Sequence, residues 1–432
     1  MHRQDGPEEI ERRTLLARGA ALAALLVTGC SKREPPAFSA DGPDQLRSGL
    51  ERHVQSGFAP GVVGVVARGP DVETFVLGKM AFGGADMRRD SIFRIASMTK
   101  AVTAAAVMML VEEGKLRLDE SVDRLLPELA NRRVLRRIDA EVDDTVPAKR
   151  PLTVEDLLTF RCGLGMVLGP PDRYAIQKAI TALGVNGVGF GPPDPDMALD
   201  GDGWMQKIGS LPLFAQPGED WLYTAGSNIQ GVLVARASGR PLSRFFEERI
   251  FGPLGMKDTA FFVPASKIDR LVHAYRARDG RLVVSDEPAT GKWSRPPKFE
   301  QGDAGLVSTV DDYLAFARML LADGGHRGQT LLTPASVQAM KTNHLTAPQR
   351  ASGEEILGRG RGWGYGMSVV VETVPGQPAA GSFGWVGGFG SSWISDPSRD
   401  LTMILLTQHE FTSASGDPIH QEFQANAYRA LR

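Results

Sequence analysis

The sequence predicts a mixed α/β fold of the α+β kind, in which strands cluster at both chain ends and a long, mostly helical stretch separates them. Residues 61–67 and 73–77 are apolar, rich in β-branched side chains and joined at Gly69-Pro70-Asp71, which is typical of a hairpin. Strand-like stretches return at 363–373, 390–395 and 401–408. The intervening sequence shows helical patterns instead.

The helices are predicted from apolar spacing, helix-forming residues and end signals, taken in chain order. The predicted helices are 45–54, 97–110, 153–159, 174–183, 229–238, 242–250, 310–322 and 421–431. Thr153 and Asp156 have the spacing of a capping box. Residues 163–202 are rich in Gly, Pro and Asp, so apart from the short helix at 174–183 they form a long loop, which we expect to be functional or mobile.

Composition excludes several function classes. The chain has 432 residues, of which 42% are hydrophobic and 23% charged, with a formal net charge of −2. These values are those of an ordinary globular protein and indicate no nucleic-acid partner and no attraction to an anionic membrane surface. The seven His and two Cys show neither H-E-x-x-H nor C-x-x-C spacing, so we expect no metal and no cofactor.

The first 30 residues have the features of a processing segment. Arg12-Arg13 resembles a twin-arginine export signal, and the apolar stretch that follows is too short to span a bilayer. Val27-Thr28-Gly29-Cys30 resembles a bacterial lipobox, with Cys30 as the lipidated residue. We expect a signal peptide at 1–30, a tether at 31–43 and an exported protein at the periplasm or cell surface. Its membrane contact would be through lipidated Cys30 only. A plain secretory signal with an incidental cysteine is the alternative.

Ser97-Met98-Thr99-Lys100 opens a run of Ala, Val, Met and Leu that predicts a buried helix with Ser97 at its N-terminus. Residues three apart share a helix face, so the Lys100 amine can reach the Ser97 hydroxyl. A serine hydroxyl is a weak nucleophile until a base takes its proton, and a desolvated lysine can serve as that base. The helix N-terminus also offers N–H groups to a developing oxyanion. The motif therefore predicts acyl transfer through a serine, with an ordinary helix cap at Ser97 as the alternative.

Two further segments suit the same chemistry. Tyr223, within 221–231, can act as a general base beside a cation, although packing as a plain aromatic side chain is the alternative. Residues 384–393 are rich in glycine, which lets a strand backbone approach a substrate closely and present N–H groups to it. A turn or bulge is the alternative for this segment.

The three motifs, in this order, resemble those of the serine β-lactamase-like superfamily, and most closely class C β-lactamases and family VIII carboxylesterases. The resemblance runs from about residue 44 to residue 432. Residues 157–164 resemble the family's L-L-T-H-T-S-G-L, residues 250–259 its I-F-x-P-L-G-M-x-D-T, and residues 305–309 its G-L-x-S-T. The order and spacing of these segments carry the resemblance.

The resemblance implies a β-lactamase/transpeptidase-like fold, with an antiparallel sheet flanked by helices, a mostly helical region and a site between them. The sheet region would be about 44–90 and 360–432, and the helical region about 91–359. By resemblance, Ser97 is the acylated nucleophile and Lys100 and Tyr223 transfer its proton. The N–H groups of Ser97 and Gly388 form the oxyanion hole, next to Gly387.

Two departures from the family pattern shape the predicted activity. Tyr223-Thr224-Ala225 stands where the lactamases have Tyr-x-Asn, so the amide side chain is absent. Trp385-Val386-Gly387 stands where they have Lys-Thr-Gly, and the alternative alignment on Ser382-Phe383-Gly384 also lacks the cation. Trp385 would then form an apolar wall, which favours a carboxylesterase acting on small neutral esters. A β-lactamase, a DD-peptidase, an acyltransferase and a non-catalytic peptidoglycan-binding protein are the alternatives. Oligomeric state is left open.

Overall fold

The computed structural model describes residues 37–170, 172–185, 194–413 and 416–431. The chain divides into two units, and every element named below belongs to Phe38–Leu431. The predicted signal peptide, Cys30 and residues 31–36 of the predicted tether lie outside the described residues. Within the described residues, no helix combines the length and the hydropathy that a membrane span requires.

Strands and helices occur in the following positions along the described chain. The strands are β1 (Gly61–Arg68), β2 (Asp71–Gly78), β3 (Phe93–Arg94), β4 (Arg133–Leu135), β5 (Thr145–Pro147), β6 (Ala274–Arg278), β7 (Arg281–Asp286), β8 (Val307–Ser308), β9 (Gly325–His326), β10 (Gln329–Thr330), β11 (Arg361–Trp363), β12 (Ser368–Val370), β13 (Phe383–Gly387), β14 (Ser391–Asp396) and β15 (Leu401–Thr407). The helices are α1 (Gly42–Gln55), α2 (Thr99–Glu112), α3 (Val154–Leu158), α4 (Ala175–Leu183), α5 (Gly201–Ser210), α6 (Ala225–Ser238), α7 (Leu242–Phe246), α8 (Gly252–Leu254), α9 (Val310–Leu321), α10 (Pro334–Met340), α11 (Ala347–Ser352), α12 (Glu354–Leu357) and α13 (Pro418–Ala430).

A seven-stranded antiparallel sheet is formed by strands from both ends of the described chain. Its order is β11-β12-β13-β14-β15-β1-β2. The predicted hairpin β1–β2 is confirmed, and β1 also pairs with β15, with Val65 opposite Ile404. Every residue of β15 is buried, because helices cover the faces of the sheet and its strands need apolar side chains on both sides. The predicted fold class is therefore confirmed.

The sheet departs from prediction at residues 363–373. The structure has two strands there, β11 and β12, paired with Trp363 opposite Ser368. Gly366 in the connecting turn has a φ of +76°, and a Cβ at this residue would lie 2.5 Å from the Lys100 carbonyl oxygen. This close approach to another part of the chain turns the strand, and it could not be recognised from local apolar patterning.

The predicted helices are present, with differences at their ends. The Thr153–Asp156 capping box begins α3, and α4 lies within the loop at 163–202. Helix α6 begins at Ala225 instead of residue 229, because Thr224 supplies the chain reversal that starts it. The helix predicted at 242–250 is α7 followed by a π-helical turn at Glu247–Phe251. Helix α2 is buried from Thr99 to Leu110, so it forms the centre of the helical region.

Candidate active site

Ser97 lies in a 3₁₀ turn, Ala96–Met98, that leads directly into α2. The neighbouring backbone is fixed on two sides: the Tyr313 hydroxyl donates to the Met98 carbonyl at 2.9 Å, and the Ser391 hydroxyl donates to the Ile95 carbonyl at 3.0 Å. Ala96 has a φ of +42°, which is uncommon for a residue with a Cβ and requires support from the surrounding structure. Ser97 itself is half-buried, so a small molecule can reach its hydroxyl.

Lys100 is fully buried one helical turn after Ser97. Its Nζ donates to Ser97 Oγ at 2.9 Å and to the Asp303 carbonyl oxygen at 2.8 Å. The predicted contact between the two side chains is therefore present. Burial makes a lysine side chain costly unless polar groups surround it, and here these two oxygens do so. The arrangement holds an amine against a serine hydroxyl, as proton transfer requires.

Tyr223 approaches the same lysine from the other side. Lys100 Nζ lies 4.7 Å from the centroid of the Tyr223 ring, and the Tyr223 hydroxyl accepts a 2.7 Å hydrogen bond from Trp385 Nε1. The next residue, Thr224, has a φ of +86°, a strained value that turns the chain into α6. The fold thus brings together Ser97, Lys100 and Tyr223, although Tyr223 is far from the other two in sequence.

Trp385 belongs to a buried aromatic cluster that the sequence patterns did not indicate. Only 5% of Trp385 is exposed, and its ring packs against Trp363 at a centroid distance of 4.8 Å. Trp363 in turn stacks on Phe160 at 4.9 Å, and Trp221 completes the cluster around Tyr223. Such packing fixes the indole plane, so the main structural contacts of Trp385 are with Tyr223 and Trp363.

Gly387 and Gly388 occupy the end of β13, beside the turn that holds Ser97. A Cβ on Gly387 would lie 2.2 Å from the Ile95 carbonyl oxygen, so this glycine allows the strand and the turn to touch. At Gly388 the corresponding space is open, and the residue is exposed. Among the described residues, the hydrogen bonds outside regular helices and strands include none donated by the Ser97 or Gly388 amide, as the predicted oxyanion hole requires.

Asp303 is a member of the site that the sequence analysis missed. Its carbonyl accepts the Lys100 hydrogen bond, its carboxylate accepts a 2.9 Å hydrogen bond from Thr224 Oγ1, and its amide donates to Asn228 Oδ1. Burial raises the pKa of the Asp303 carboxyl, and the nearby charge of Lys100 acts in the opposite direction. Asp303 therefore links the lysine to the strained residue that follows Tyr223.

One signal could have identified Asp303. It is an acidic residue in Gly302-Asp303-Ala304-Gly305, directly before the apolar Leu306 and Val307. A charge in such a segment needs a partner, because burying it alone is costly. Asn228, five residues after Tyr223, is fully buried, and its Oδ1 accepts a hydrogen bond from the Asp303 amide.

Among the described residues, no cluster of three or more His, Cys, Asp or Glu side chains is arranged to hold a metal ion. Two buried imidazoles, His409 and His420, lie near the C-terminus, and His420 Nδ1 lies 2.7 Å from Ser392 Oγ. Burial lowers the pKa of His420 to about 3, so its ring is neutral near pH 7. These imidazoles contact structural residues and none of the side chains around Ser97.

The site can be compared with those of known proteins. A family model described as Beta-lactamase matches residues 47–425. The chain belongs to the beta-lactamase family. This membership confirms the resemblance drawn from the motifs, and with it the predicted class of enzyme, a serine hydrolase.

Relatives of this beta-lactamase family member include proteins named as esterases. Protein Rv1367c of Mycobacterium tuberculosis is 39% identical over 337 residues, which cover 76% of this chain and 79% of that protein. Esterase EstB of Burkholderia gladioli is 30% identical over 411 residues, 89% of this chain and 95% of EstB. The structure of EstCE1, described as a hydrolase with promiscuous acyltransferase activity, has a TM-score of 0.73 at 22% identity, covering 90% of this chain and 98% of EstCE1. At that identity EstCE1 supports the fold alone.

Proposed function

We propose that this protein is a carboxylesterase that accepts the acyl group of small neutral esters on Ser97 and then releases it to water. The observation that carries the proposal is the 2.9 Å hydrogen bond between the fully buried Lys100 amine and the Ser97 hydroxyl. The likeness to esterase EstB over most of both chains supports an ester as the substrate.

In the first half of the reaction, Ser97 Oγ attacks the ester carbonyl carbon. The serine proton passes to the Lys100–Tyr223 pair, and the negative charge moves to the former carbonyl oxygen, where the Ser97 and Gly388 amides stabilise it. When the tetrahedral intermediate collapses, the ester C–O bond breaks. The leaving alcohol takes the proton from the pair, and the acyl group remains on Ser97.

In the second half, water attacks the acyl-enzyme and the same pair takes a proton from it. Collapse breaks the bond between Ser97 Oγ and the acyl carbon, releases the carboxylic acid and returns the proton to Ser97. An alcohol in place of water would give a new ester by the same steps. The same mechanism therefore also permits acyl transfer to an alcohol.

Trp385 favours an ester over a β-lactam. It occupies the position of the lysine in the lactamase motif, and its only N–H donor is already used by Tyr223. An anionic β-lactam would lose a charge-assisted hydrogen bond worth about 1.5–3 kcal/mol. Ala225 removes a second polar contact, because it stands where the lactamases carry an asparagine.

The proposal is tested with p-nitrophenyl acetate, p-nitrophenyl butyrate and nitrocefin. Ser97→Ala is expected to lower ester hydrolysis by about 10³-fold or more, with little nitrocefin turnover in either protein. Ser210→Ala, which removes a hydroxyl from the end of α5, is the matched control and should keep full activity. Ser97-dependent nitrocefin turnover would favour a β-lactamase. Full activity in Ser97→Ala would overturn the nucleophile assignment and favour the binding-protein alternative.

The proposal also includes export and a lipid anchor on Cys30. Both are supported by the Arg12-Arg13 pair and by the Val27–Cys30 segment of the sequence. Incorporation of labelled palmitate in a bacterial host, compared with that of Cys30→Ala, tests the anchor. Equal labelling of the two proteins, or no labelling of either, would rule it out.

A further inference from the structure

A cavity of about 280 Å³ lies directly beside the candidate active site. Its walls come from four separate segments: the β4–β5 connection, the start of the long loop, the stretch before α6 and the α11–α12 corner. The apolar lining side chains include Ile138, Val167, Leu168, Phe214, Trp221 and Ile356. A volume at the lower end of the range for ligand pockets suits one chain of a substrate better than a whole large ligand.

Tyr223 connects this cavity to the reacting atoms. The residue lines the cavity, and its ring also lies 4.7 Å from Lys100 Nζ, which in turn contacts Ser97 Oγ. The neighbouring Trp363 and Trp385 are at most 5% exposed and pack closely against each other. A substrate chain that extends from the carbonyl at Ser97 towards Tyr223 would therefore approach the cavity that Tyr223 lines.

The charge of the lining selects against anionic chains. Among the described residues that line the cavity, Asp220 is the one with a charged side chain, and it is exposed at the rim. A carboxylate in the cavity would meet this like charge and no cation, whereas a hydrocarbon chain would exchange water for apolar contact. The lining thus fits a neutral, unbranched or lightly branched chain.

We propose that this cavity binds a medium-length apolar chain of the ester substrate, and that Leu168 in its wall contacts that chain. The proposal rests on the proposed esterase function and narrows it, because it adds a preference for chains longer than acetyl. The chain can belong to the acyl group or to the alcohol. In both cases the bound group is a neutral hydrocarbon chain. Two series of substrates distinguish an acyl chain from an alcohol chain.

The first series varies the acyl group, with p-nitrophenyl acetate, butyrate, hexanoate and octanoate. The second varies the alcohol, with methyl, butyl, hexyl and octyl acetates followed by titration of the released acid. Burial of each added methylene is expected to raise kcat/KM by about fourfold in one of the two series until the cavity is full. The series that rises identifies the half of the ester that the cavity holds. No rise in either series would overturn the proposal.

Leu168→Trp places a larger side chain in the wall of the cavity and leaves the residues Ser97, Lys100 and Tyr223 themselves in place. In this variant the rise with chain length should fall to below about twofold per methylene. Leu282→Trp makes the same exchange on β7, away from the cavity, and should keep the full rise. An equal rise in Leu168→Trp and wild type would contradict the proposal.

A binding measurement separates failure of this proposal from failure of the esterase function. In Ser97→Ala, 1-hexanol is expected to raise the melting temperature by about 2 °C relative to ethanol at the same concentration. The double variant Ser97→Ala with Leu168→Trp should show no such difference. If hexanol raises the melting temperature in this way but ester hydrolysis does not depend on Ser97, the result supports the cavity proposal and contradicts the proposed esterase function. If hydrolysis depends on Ser97 but hexanol has no effect, the cavity proposal fails alone.

Discussion

Trp385 Nε1 donates a 2.7 Å hydrogen bond to the Tyr223 hydroxyl, and both residues are almost completely buried. The indole therefore has a direct role in orienting the tyrosine, besides lacking the positive charge that a lysine would bring. An N–H donor at this distance also stabilises negative charge that develops on the phenolic oxygen. The orientation of Tyr223 thus depends on a side chain at the position where the lactamase motif has a lysine.

Replacing this donor should reduce turnover more than substrate binding. We expect Trp385→Phe to lower kcat by about 10-fold to 100-fold with a smaller change in KM, because one hydrogen bond to the reacting network is lost. Trp363→Phe is the matched control, since Trp363 belongs to the same cluster but donates to the Leu158 carbonyl instead. Steady-state kinetics on p-nitrophenyl butyrate measures both. Equal losses in the two variants would assign the effect to packing.

Asp303 should set the pH range of activity. Its carboxyl is buried, and burial raises its pKa. The asparagine of Asp303→Asn cannot take up the corresponding proton, so the acidic limb of kcat/KM should move to lower pH. The asparagine oxygen can still accept from Thr224, which preserves the fold. A pH profile from 5 to 10 tests this, and a limb that stays in place or moves to higher pH would contradict it.

Two adjacent glycines should respond differently to a methyl group. In Gly387→Ala the new Cβ would lie 2.2 Å from the Ile95 carbonyl oxygen, so β13 must move away from the Ser97 turn. We expect a loss of about 1–3 kcal/mol in the free energy of unfolding and a 10-fold to 100-fold loss of activity. Gly388→Ala has open space and should unfold within about 0.5 kcal/mol of the wild type. Denaturant unfolding of both variants measures the difference in stability. Equal stability of the two variants would contradict a close contact between Gly387 and the Ile95 carbonyl.

His420 should lower the stability of the folded protein at acidic pH. Its folded-state pKa is lowered by burial to about 3, against an ordinary value of 6.5. The unfolded chain therefore binds a proton below pH 6.5 that the folded chain does not, and stability falls as the pH falls from 6.5 towards 3. His420→Phe removes this pH-dependent loss of stability, because phenylalanine has no titratable group.

The variant should gain about 2–3 kcal/mol relative to the wild type between pH 6.5 and pH 4.5, measured as the difference in the free energy of unfolding. The difference between the two proteins at pH 8 is the reference for this comparison. A difference that does not change with pH would show that His420 is protonated in the folded protein or accessible to water.

Local patterns in the sequence were enough to predict the parts of the site and fold that depend on neighbouring residues. Ser97 and Lys100 are three residues apart, and β1 and β2 are joined by a two-residue turn, so each pairing could be derived directly. The hydrogen bonds of Asp303 could not be derived in this way, because its partners Lys100 and Thr224 come from distant segments. The hydrogen bond from Trp385 to Tyr223 was missed for the same reason.

The error at 363–373 has a related cause. The apolar composition of this stretch suits one long strand, but Gly366 must pass close to the Lys100 carbonyl of α2, and that requirement divides the strand into β11 and β12. Helix α6 begins early because Thr224, held by the Asp303 carboxylate, turns the chain at a point where no local signal was visible. In each case a contact between remote segments decided the local structure.

The pairing of β1 with β15 has a consequence for the time at which the enzyme becomes active. The N-terminal hairpin can acquire its second neighbour only after Leu401–Thr407 has been synthesised, and the Ile95 carbonyl, two residues before Ser97, gains its hydrogen bond from Ser391 only once β14 has been made. Contacts between such remote segments form slowly and late. A chain still emerging from the ribosome therefore carries its serine and lysine on one helix without the strand beside them. Translation must therefore proceed beyond β15 before the protein can react with an ester.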